Sequence, residues 1–159
     1  MSGVPFTIFR PVAFNYSLAG YKESALQGIL PDARRGDSDV YQIAEEDYAQ
    51  FVSLALTDPA NWKNQSLDVA GDRLTVAELA KMFGDALGRE VKHRQISWEE
   101  ETEAIGEEVV RLMRWVEEEG PRVDVAALRA RYPWLTDLNR YLQTHGWTKD
   151  GNQAQTTTN

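Results

Sequence analysis

The side chains that could carry out catalysis or bind a metal are few in this sequence and poorly spaced. There is no cysteine among the 159 residues, so thiolate metal sites and disulfides are excluded. The two histidines, His93 and His145, lack metal-ligand spacing and are more typical of surface or hydrogen-bonded residues. Glutamates crowd at positions 99, 100, 101 and 103, a spacing typical of the solvated first turn of a helix. The residues alone therefore indicate no catalytic residue and no metal site.

Motifs that bind phosphate or activate a nucleophile are also missing from the sequence. No G-x-G-x-x-G or Walker pattern occurs, and the eleven glycines are scattered at predicted helix ends and turns. No serine lies in a nucleophile elbow, and no tyrosine is followed four residues later by a lysine. The five tryptophans are dispersed, which is more typical of packing residues than of a stacking platform.

The charge and hydropathy of the chain exclude several classes of partner. A net charge of −8 argues against binding to nucleic acid or to anionic membrane surfaces, both of which require basic patches. No apolar run approaches the roughly 20 residues that span a bilayer, and the N-terminus lacks a basic-then-apolar signal. We therefore expect a cytoplasmic protein with no nucleic-acid and no membrane partner.

The apolar pattern predicts strands alternating with helices, which favours an α/β fold. Residues 29–39 are rich in charge and turn formers and are predicted as a loop. The predicted strands are 4–9, 40–44, 66–71 and 91–96, and the predicted helices are 16–27, 45–58, 74–88, 97–119, 123–131 and 138–145.

Two capping boxes fix the starts of two of these helices. Thr75 with Glu78 and Ser97 with Glu100 have the spacing in which each side chain bonds the other residue's backbone, and Gly88 is a helix stop. The second box opens a long acidic helix whose expected buried face is Ile105, Val109, Leu112 and Val116.

Several blocks, in order, resemble the C-terminal half of NmrA-like proteins, which are atypical members of the short-chain dehydrogenase/reductase superfamily. They are GVPFTIFRP at residues 3–11, EEDYAQFVSLALTDP at 45–59 and SLDVAGDRLTVAELAKMFGDALGREV at 66–91. The closing LRARYPWLTDLNRYLQTHGW at 128–147 is similar to the terminal helices of that family.

The resemblance implies the C-terminal part of a doubly wound, Rossmann-like parallel sheet plus a small, mostly helical lobe. The expected division is a Rossmann-like remnant at residues 1–95, a substrate-side lobe at 96–147 and a disordered tail at 148–159. The strand Val4–Phe9 resembles the sixth of that sheet, so we expect a fragment, a truncated product or a short relative. Its unpaired side should be exposed and should support self-association.

The resemblance also implies a site beside the cofactor. Intact relatives bind NADP or NAD for redox sensing or for reduction of a small molecule. The segment that would form the wall beside the nicotinamide and substrate is Pro11, Val12, Ala13, Phe14 and Asn15. The alternative is that Phe14 packs under the following helix and Asn15 caps that helix.

Three residues of the expected lobe could line the substrate cleft, although core packing is the alternative for each. They are Trp98, Met113 and Trp115. Because the Gly-rich motif and the Tyr-x-x-x-Lys pair are missing, we expect this chain alone to bind no cofactor. Its partner would be a small-molecule substrate or a protein, and the alternative function is a non-catalytic interaction or regulatory module.

Overall fold

A computed structural model describes residues 3–147, so the predicted tail at 148–159 lies outside the described residues. The strands are Thr7–Pro11 (β1), Ala13–Phe14 (β2), Ile29–Asp32 (β3), Asp39–Ile43 (β4), Gln65–Val69 (β5), Asp72–Thr75 (β6) and Lys92–Gln95 (β7). The helices are Lys22–Leu26 (α1), Glu45–Thr57 (α2), Pro59–Trp62 (α3), Val76–Leu87 (α4), Trp98–Ile105 (α5), Glu107–Glu119 (α6), Val125–Arg131 (α7) and Leu138–Thr144 (α8). A 3-10 helix, Asn15–Tyr21, precedes α1.

The strands form three small sheets that are mainly parallel. β1 pairs with β5 in parallel, with Pro11 opposite Val69. β4 lies between β2, which is parallel to it, and β6, which is antiparallel. β3 pairs in parallel with β7. Parallel neighbours need long crossover connections, and here helices provide them, as an α/β fold requires.

One hydrophobic core lies on the inner face of α4. Phe83 is fully buried and stacks on Trp147 with ring centroids 4.4 Å apart. Leu138 and Leu142 of α8 pack into the same core together with Leu30 of β3. The terminal helix is therefore held against the α/β part of the chain by aromatic and aliphatic burial.

A second core surrounds Phe51, the buried residue at the centre of α2. Its ring meets Tyr132 edge to face at 4.9 Å and Trp134 at 4.8 Å. Phe9 of β1 packs on the other side, at 5.7 Å. Because Tyr132 and Trp134 follow α7, this core joins β1 and α2 to the segment after α7. The predicted boundary between residues 1–95 and 96–147 stays a prediction.

The predicted helix ends are confirmed where local hydrogen bonds define them. Thr75 and Glu78 form a complete capping box, and so do Ser97 and Glu100. Gly88 takes a left-handed conformation with φ of 65° directly after α4.

Several elements differ from the sequence prediction, including two strands and the helix predicted over 97–119. The predicted loop at 29–39 begins with strand β3, and β6 was not predicted at all. Both strands are four residues long and depend on pairing with distant segments. The single helix predicted over 97–119 is interrupted at Gly106, whose φ of 88° is a conformation that favours glycine.

The face expected to be buried on the 97–119 helix is largely exposed, so that prediction was wrong. Val109 is 46% and Leu112 is 57% exposed, and Ile105 at the end of α5 is also exposed. The buried residue of α6 is Val110 instead. Breaking the helix at Gly106 changes which face of its second half meets the rest of the protein.

No helix within residues 3–147 combines the length and the apolar character needed to cross a membrane.

Candidate functional site

The segment of residues 11–15 crosses from one sheet to another at the carboxyl ends of their strands. Val12 donates its backbone N–H to the carbonyl oxygen of Val69 at 3.3 Å, at the end of the β1–β5 pair. Two residues later Phe14 lies opposite Ile43, at the end of the β2–β4 pair. Ligands of open α/β sheets bind outside the carboxyl ends of strands, at the point where the topology switches.

Asn15 is the polar side chain buried at this crossing. It is only 2% exposed, and its Oδ1 has no hydrogen-bond partner among the described residues. The 3-10 helix that starts at Asn15 has Phe14 at its N-cap position without a side-chain cap bond, so Asn15 does not cap it. A buried amide oxygen without a donor is uncommon and can accept a hydrogen bond from a ligand N–H group.

The other members of the predicted wall differ in exposure. Pro11 and Ala13 are exposed, whereas Val12 is buried against β5. Phe14 is half-buried, stacked on Tyr16 of the following helix at 6.0 Å and edge to face with Tyr48 of α2 at 5.4 Å. The ring of Phe14 therefore packs partly against the following helix, which was the alternative to its role in the wall. Pro11 and Ala13 remain exposed to solvent.

Two more unpaired polar groups lie near the ends of these strands. The Gly71 N–H donates to the Gln42 carbonyl at 2.8 Å, and the Gly71 carbonyl accepts from Nε of Arg129 at 2.9 Å. Oε1 of Gln42 and Nη2 of Arg129 are buried without partners among residues 3–147. A Cβ at Gly71 would lie 2.8 Å from the Thr136 carbonyl oxygen, so this close approach requires glycine.

Asp47, in the second resemblance block, ties α2 to the segment after α7. Its Oδ2 accepts the Thr136 backbone N–H at 2.6 Å and its Oδ1 accepts the Thr136 hydroxyl at 3.1 Å. Burial raises the pKa of the Asp47 carboxyl, although both bonds from Thr136 oppose that rise. Because both carboxylate oxygens accept hydrogen bonds from Thr136, the role of Asp47 at this edge is to position the chain and not to bind a ligand.

A buried polar cluster that the sequence did not reveal surrounds Asp32 at the end of β3. Arg34 donates to Asp32 through Nε at 2.9 Å and through Nη2 at 2.6 Å. The hydroxyl of Tyr21 donates to Asp32 Oδ2 at 3.0 Å, and the Arg34 backbone N–H donates to Oδ1 at 2.9 Å. Each carboxylate oxygen thus accepts two hydrogen bonds, which leaves neither free to act as a base.

The pKa values of this cluster follow from burial and from the Asp32 charge. Burial disfavours the Arg34 cation, but its hydrogen bonds and charge attraction to Asp32 outweigh that and raise its pKa. Burial also raises the pKa of Tyr21, and the Asp32 charge adds to the rise. Glu101 of α5, whose Oε2 accepts the Ala33 N–H at 2.8 Å, has a pKa raised first by burial and then by Asp32.

A local sign of this cluster was available in the sequence, although it is weak. Asp32 and Arg34 lie two residues apart, and only Pro31 separates them from the apolar pair Ile29–Leu30. Nothing local, however, brings Tyr21 or Glu101 to them. The cluster forms because β3 and β7 pair in parallel and deliver α5 to the end of β3.

Two surface clefts are present, and both are lined by residues other than 11–15. One of about 440 Å³ lies beside the buried cluster and is lined by Tyr21, Ser24, Pro31, Arg94, Ile96 and Glu101, among others. The other, of about 360 Å³, lies near the amino end of β5 and includes Leu54, Trp62, Ser66, Leu67, Arg131 and Tyr132. The residues described contain no group of three or more acidic or histidine side chains that could hold a metal ion.

The three predicted substrate-lining residues lie on α5 and α6, away from the crossing along the chain. Trp98 is half-buried beneath the guanidinium of Arg114, 5.0 Å from its ring centroid. Met113 is half-buried, and Trp115 is 51% exposed. Within residues 3–147, no hydrogen bond or aromatic contact joins these residues to residues 11–15. Their lining of a substrate cleft stays a prediction.

The parallel strand pairs and helical crossovers define an α/β protein of the Rossmann-like class, as predicted. The model of the NmrA-like family matches residues 2–130, and the chain belongs to that family. No protein of curated function matches the sequence.

Several solved structures share the fold at low sequence identity. A nucleoside-diphosphate-sugar epimerase from Staphylococcus aureus superposes with a TM-score of 0.75 at 21% identity, over 89% of this chain and 53% of that one. Triphenylmethane reductase from Citrobacter sp., solved with NADP(H), gives 0.73 at 19%, over 94% and 54%. NmrA, a negative transcriptional regulator, solved with NADP, gives 0.63 at 19%, over 90% and 53%. The chain thus spans about half the length of these proteins.

Proposed function

We propose that this chain supplies the substrate-side half of a redox-related protein that binds a nicotinamide dinucleotide. The observation that carries the proposal is the buried Asn15, whose unpaired Oδ1 lies where the strands end and the topology switches. Membership of the NmrA-like family and the NADP bound by two of the solved structures support it. A cytoplasmic location belongs to the same proposal.

The residues present fit one end of the dinucleotide and not the other. An unpaired amide oxygen at Asn15 can accept from the carboxamide N–H₂ of a nicotinamide, and Phe14 offers an apolar edge beside it. Bound dinucleotide would supply hydride chemistry. The pyrophosphate, in contrast, needs backbone N–H groups of a Gly-rich turn, and the sequence contains no such motif.

A site that holds only the carboxamide end should bind the whole dinucleotide weakly. The remaining contacts must offset the full entropic cost of association. The net charge of −8 also opposes the approach of an anionic dinucleotide. We expect no affinity for NADPH or NADH tighter than about 1 mM, roughly −4 kcal/mol, and no reductase turnover by this chain alone.

Nuclear magnetic resonance can detect contact in this weak range. We expect N-methylnicotinamide, added to about 20 mM to the isotope-labelled chain, to shift resonances within residues 11–15. The shifts should disappear in Asn15→Leu and persist in Asn61→Leu, a matched change at an exposed asparagine. Shifts that avoid residues 11–15, or that survive Asn15→Leu, would contradict the proposed wall.

Calorimetric titration with NADPH tests the prediction that the whole dinucleotide binds weakly. A heat signal that fits a dissociation constant near 1 mM or weaker agrees with a site that lacks its phosphate anchor. A micromolar constant would reveal a phosphate site elsewhere, for which the helix starts at Thr75 and Ser97 are the first places to mutate.

The second candidate function is a non-catalytic protein-interaction or regulatory module. The exposed apolar side chains of α6 favour it, because a soluble monomer seldom leaves such a helix face uncovered. The two candidates are compatible in one chain, since the face of α6 and residues 11–15 are separate elements.

A further inference from the structure

The outer face of α6 carries three large apolar side chains that nothing in the described structure covers. Val109, Leu112 and Trp115 are 46%, 57% and 51% exposed. They are spaced by three residues, so they follow one side of the helix, and we call them the α6 strip. Ile105, the last residue of α5, adds a fourth exposed apolar side chain just before the strip. Contiguous exposed apolar surface of this kind marks interaction sites.

The inner side of α6 is already engaged, so rotation of the helix cannot bury the strip without losing those contacts. Val110 is buried, and Oε1 of Glu117 accepts a hydrogen bond from the Ser38 hydroxyl at 2.6 Å. On the polar side, Arg111 is paired with Glu108, and Arg114 lies over the ring of Trp98. The orientation that exposes the strip is therefore fixed by contacts at three other positions around the helix.

The charge along α5 and α6 is strongly acidic. Residues 97–119 contain nine glutamates against two arginines, which accounts for −7 of the chain's net charge of −8. Glu108 and Glu119 lie near the two ends of the strip, about 16 Å apart at the rise of an α-helix. An occupant of this surface must offer apolar side chains to the strip and positive charge to its ends.

The apolar strip and the acidic charge of its helix exclude several possible occupants of this surface. Residues 148–159 contain Ala154 as their one apolar side chain, so they cannot fill the strip. A second copy would bring the same acidic helix surface against this one, which opposes pairing of like surfaces. An anionic membrane surface would repel the same carboxylates. We propose that the α6 strip is a docking surface for a basic amphipathic helix of a partner protein.

The partner helix should carry apolar residues at i, i+3 or i+4, and i+7, with lysine or arginine on both flanks. Apolar contact with Leu112 and Trp115 would supply most of the affinity, because burial of apolar surface is the dominant favourable term in most protein association and tryptophan is enriched among the residues that dominate binding. The carboxylates would orient the helix and speed its encounter, so binding should weaken as salt is added.

A synthetic peptide of about 18 residues provides the test, with leucine on one face, lysine and arginine on its flanks and a fluorescent label. We expect saturable binding to the full chain by fluorescence anisotropy. Affinity should fall about tenfold or more in Leu112→Glu. Leu56→Glu, a change of equal charge at an exposed leucine of α2, should leave it unchanged. Circular dichroism of both variants establishes that each is folded.

Other results would overturn the proposal. Equal loss of affinity in Leu56→Glu and Leu112→Glu would mean that the affinity depends on the net charge of the protein and not on the α6 strip. Absence of saturable binding, or equal binding of a peptide with glutamate in place of its basic residues, would exclude a basic helix as the occupant. Self-association abolished by Leu112→Glu in sedimentation would assign the strip to a second copy. None of these outcomes depends on nicotinamide binding, so they leave the proposed function to be tested separately.

Discussion

At the scale of single residues, Asp32 is the charge on which the largest number of buried contacts depends. Its side chain is fully buried and paired with Arg34, which is itself nearly buried. Removing one partner of a buried ion pair leaves the other charge desolvated and unpaired, which costs far more than the pair contributes. The two carboxylate oxygens also hold the hydroxyl of Tyr21 and the backbone at Arg34.

We expect Asp32→Asn to lower the free energy of unfolding by about 3–5 kcal/mol, because Arg34 keeps its charge without a counter-ion. Chemical denaturation measures this change. The matched control is Asp37→Asn, which breaks the fully exposed pair with Arg35 and should cause no measurable loss. Equal effects of the two changes would show that the Asp32–Arg34 pair is not buried.

Glu101 gives the protein a predictable response to pH. Its carboxyl is 3% exposed, and its pKa lies above the ordinary value of 4.5 because of burial and the nearby Asp32 charge. Between the unfolded and folded pKa values the folded state binds more protons, so this group favours folding as the pH falls. Its contribution is greatest below the unfolded value and is lost as the pH rises through the folded one.

We therefore expect the stability of the wild type, measured by urea unfolding from about pH 7 to about pH 4, to include a contribution from Glu101 that increases as the pH falls. Glu101→Gln keeps an oxygen for the Ala33 N–H and removes the titration, so its stability should depend less on pH in that window. Identical pH profiles for the two proteins would contradict the raised pKa.

At the scale of elements, α4 and α6 show that the apolar stripe of a helix can be either buried or exposed. The stripe of α4 is covered by β3, β4 and α8, and its Phe83 is fully buried. Among the apolar side chains of α6, in contrast, Val109, Leu112 and Trp115 are exposed. Amphipathic periodicity thus identifies a face that needs a partner, without saying whether the partner belongs to the same chain.

Alanine substitutions should separate the two helices clearly. Phe83→Ala removes a ring stacked on Trp147 and should cost about 3–5 kcal/mol in unfolding free energy. Leu112→Ala should change it by less than about 0.5 kcal/mol, as at other exposed sites. A loss of about 2 kcal/mol or more in Leu112→Ala would show that Leu112 is buried, as the sequence predicted. Thermal and urea unfolding of both variants give the comparison.

At the scale of the whole molecule, the N-terminal strand is the feature that departs most from an ordinary domain. Within residues 3–147, β1 pairs with β5 on one side only. Val4, Phe6 and Ile8 are exposed there, as expected. A strand edge with free backbone N–H and C=O groups and apolar side chains is a template for pairing with another chain.

We expect the chain to self-associate through residues 4–9, with a sedimentation coefficient that rises with concentration. Replacing Phe6 and Ile8 together by lysine should reduce this association, because charged side chains protect edge strands. Leu56→Lys places the same charge at an apolar site on α2 that is more exposed than either, and should not reduce the association. A wild type that sediments as a single monomer at high concentration would contradict the prediction.

Features that depend only on neighbouring residues could be predicted from the sequence alone. The capping boxes at Thr75–Glu78 and Ser97–Glu100 and the stop at Gly88 were predicted correctly, because each is made of hydrogen bonds and dihedral angles within a few residues. The α/β class and the family also followed from local blocks read in order.

The tertiary structure decided what depends on distant pairing. Strand β3 exists because it meets β7, about sixty residues away, and the same pairing buries Asp32 beside Tyr21 and Glu101. The unpaired oxygen of Asn15 and the exposed strip of α6 are likewise properties of what surrounds a side chain. Burial is set by every element packed around a residue, so the same apolar or polar residue type can be core, ligand contact or surface.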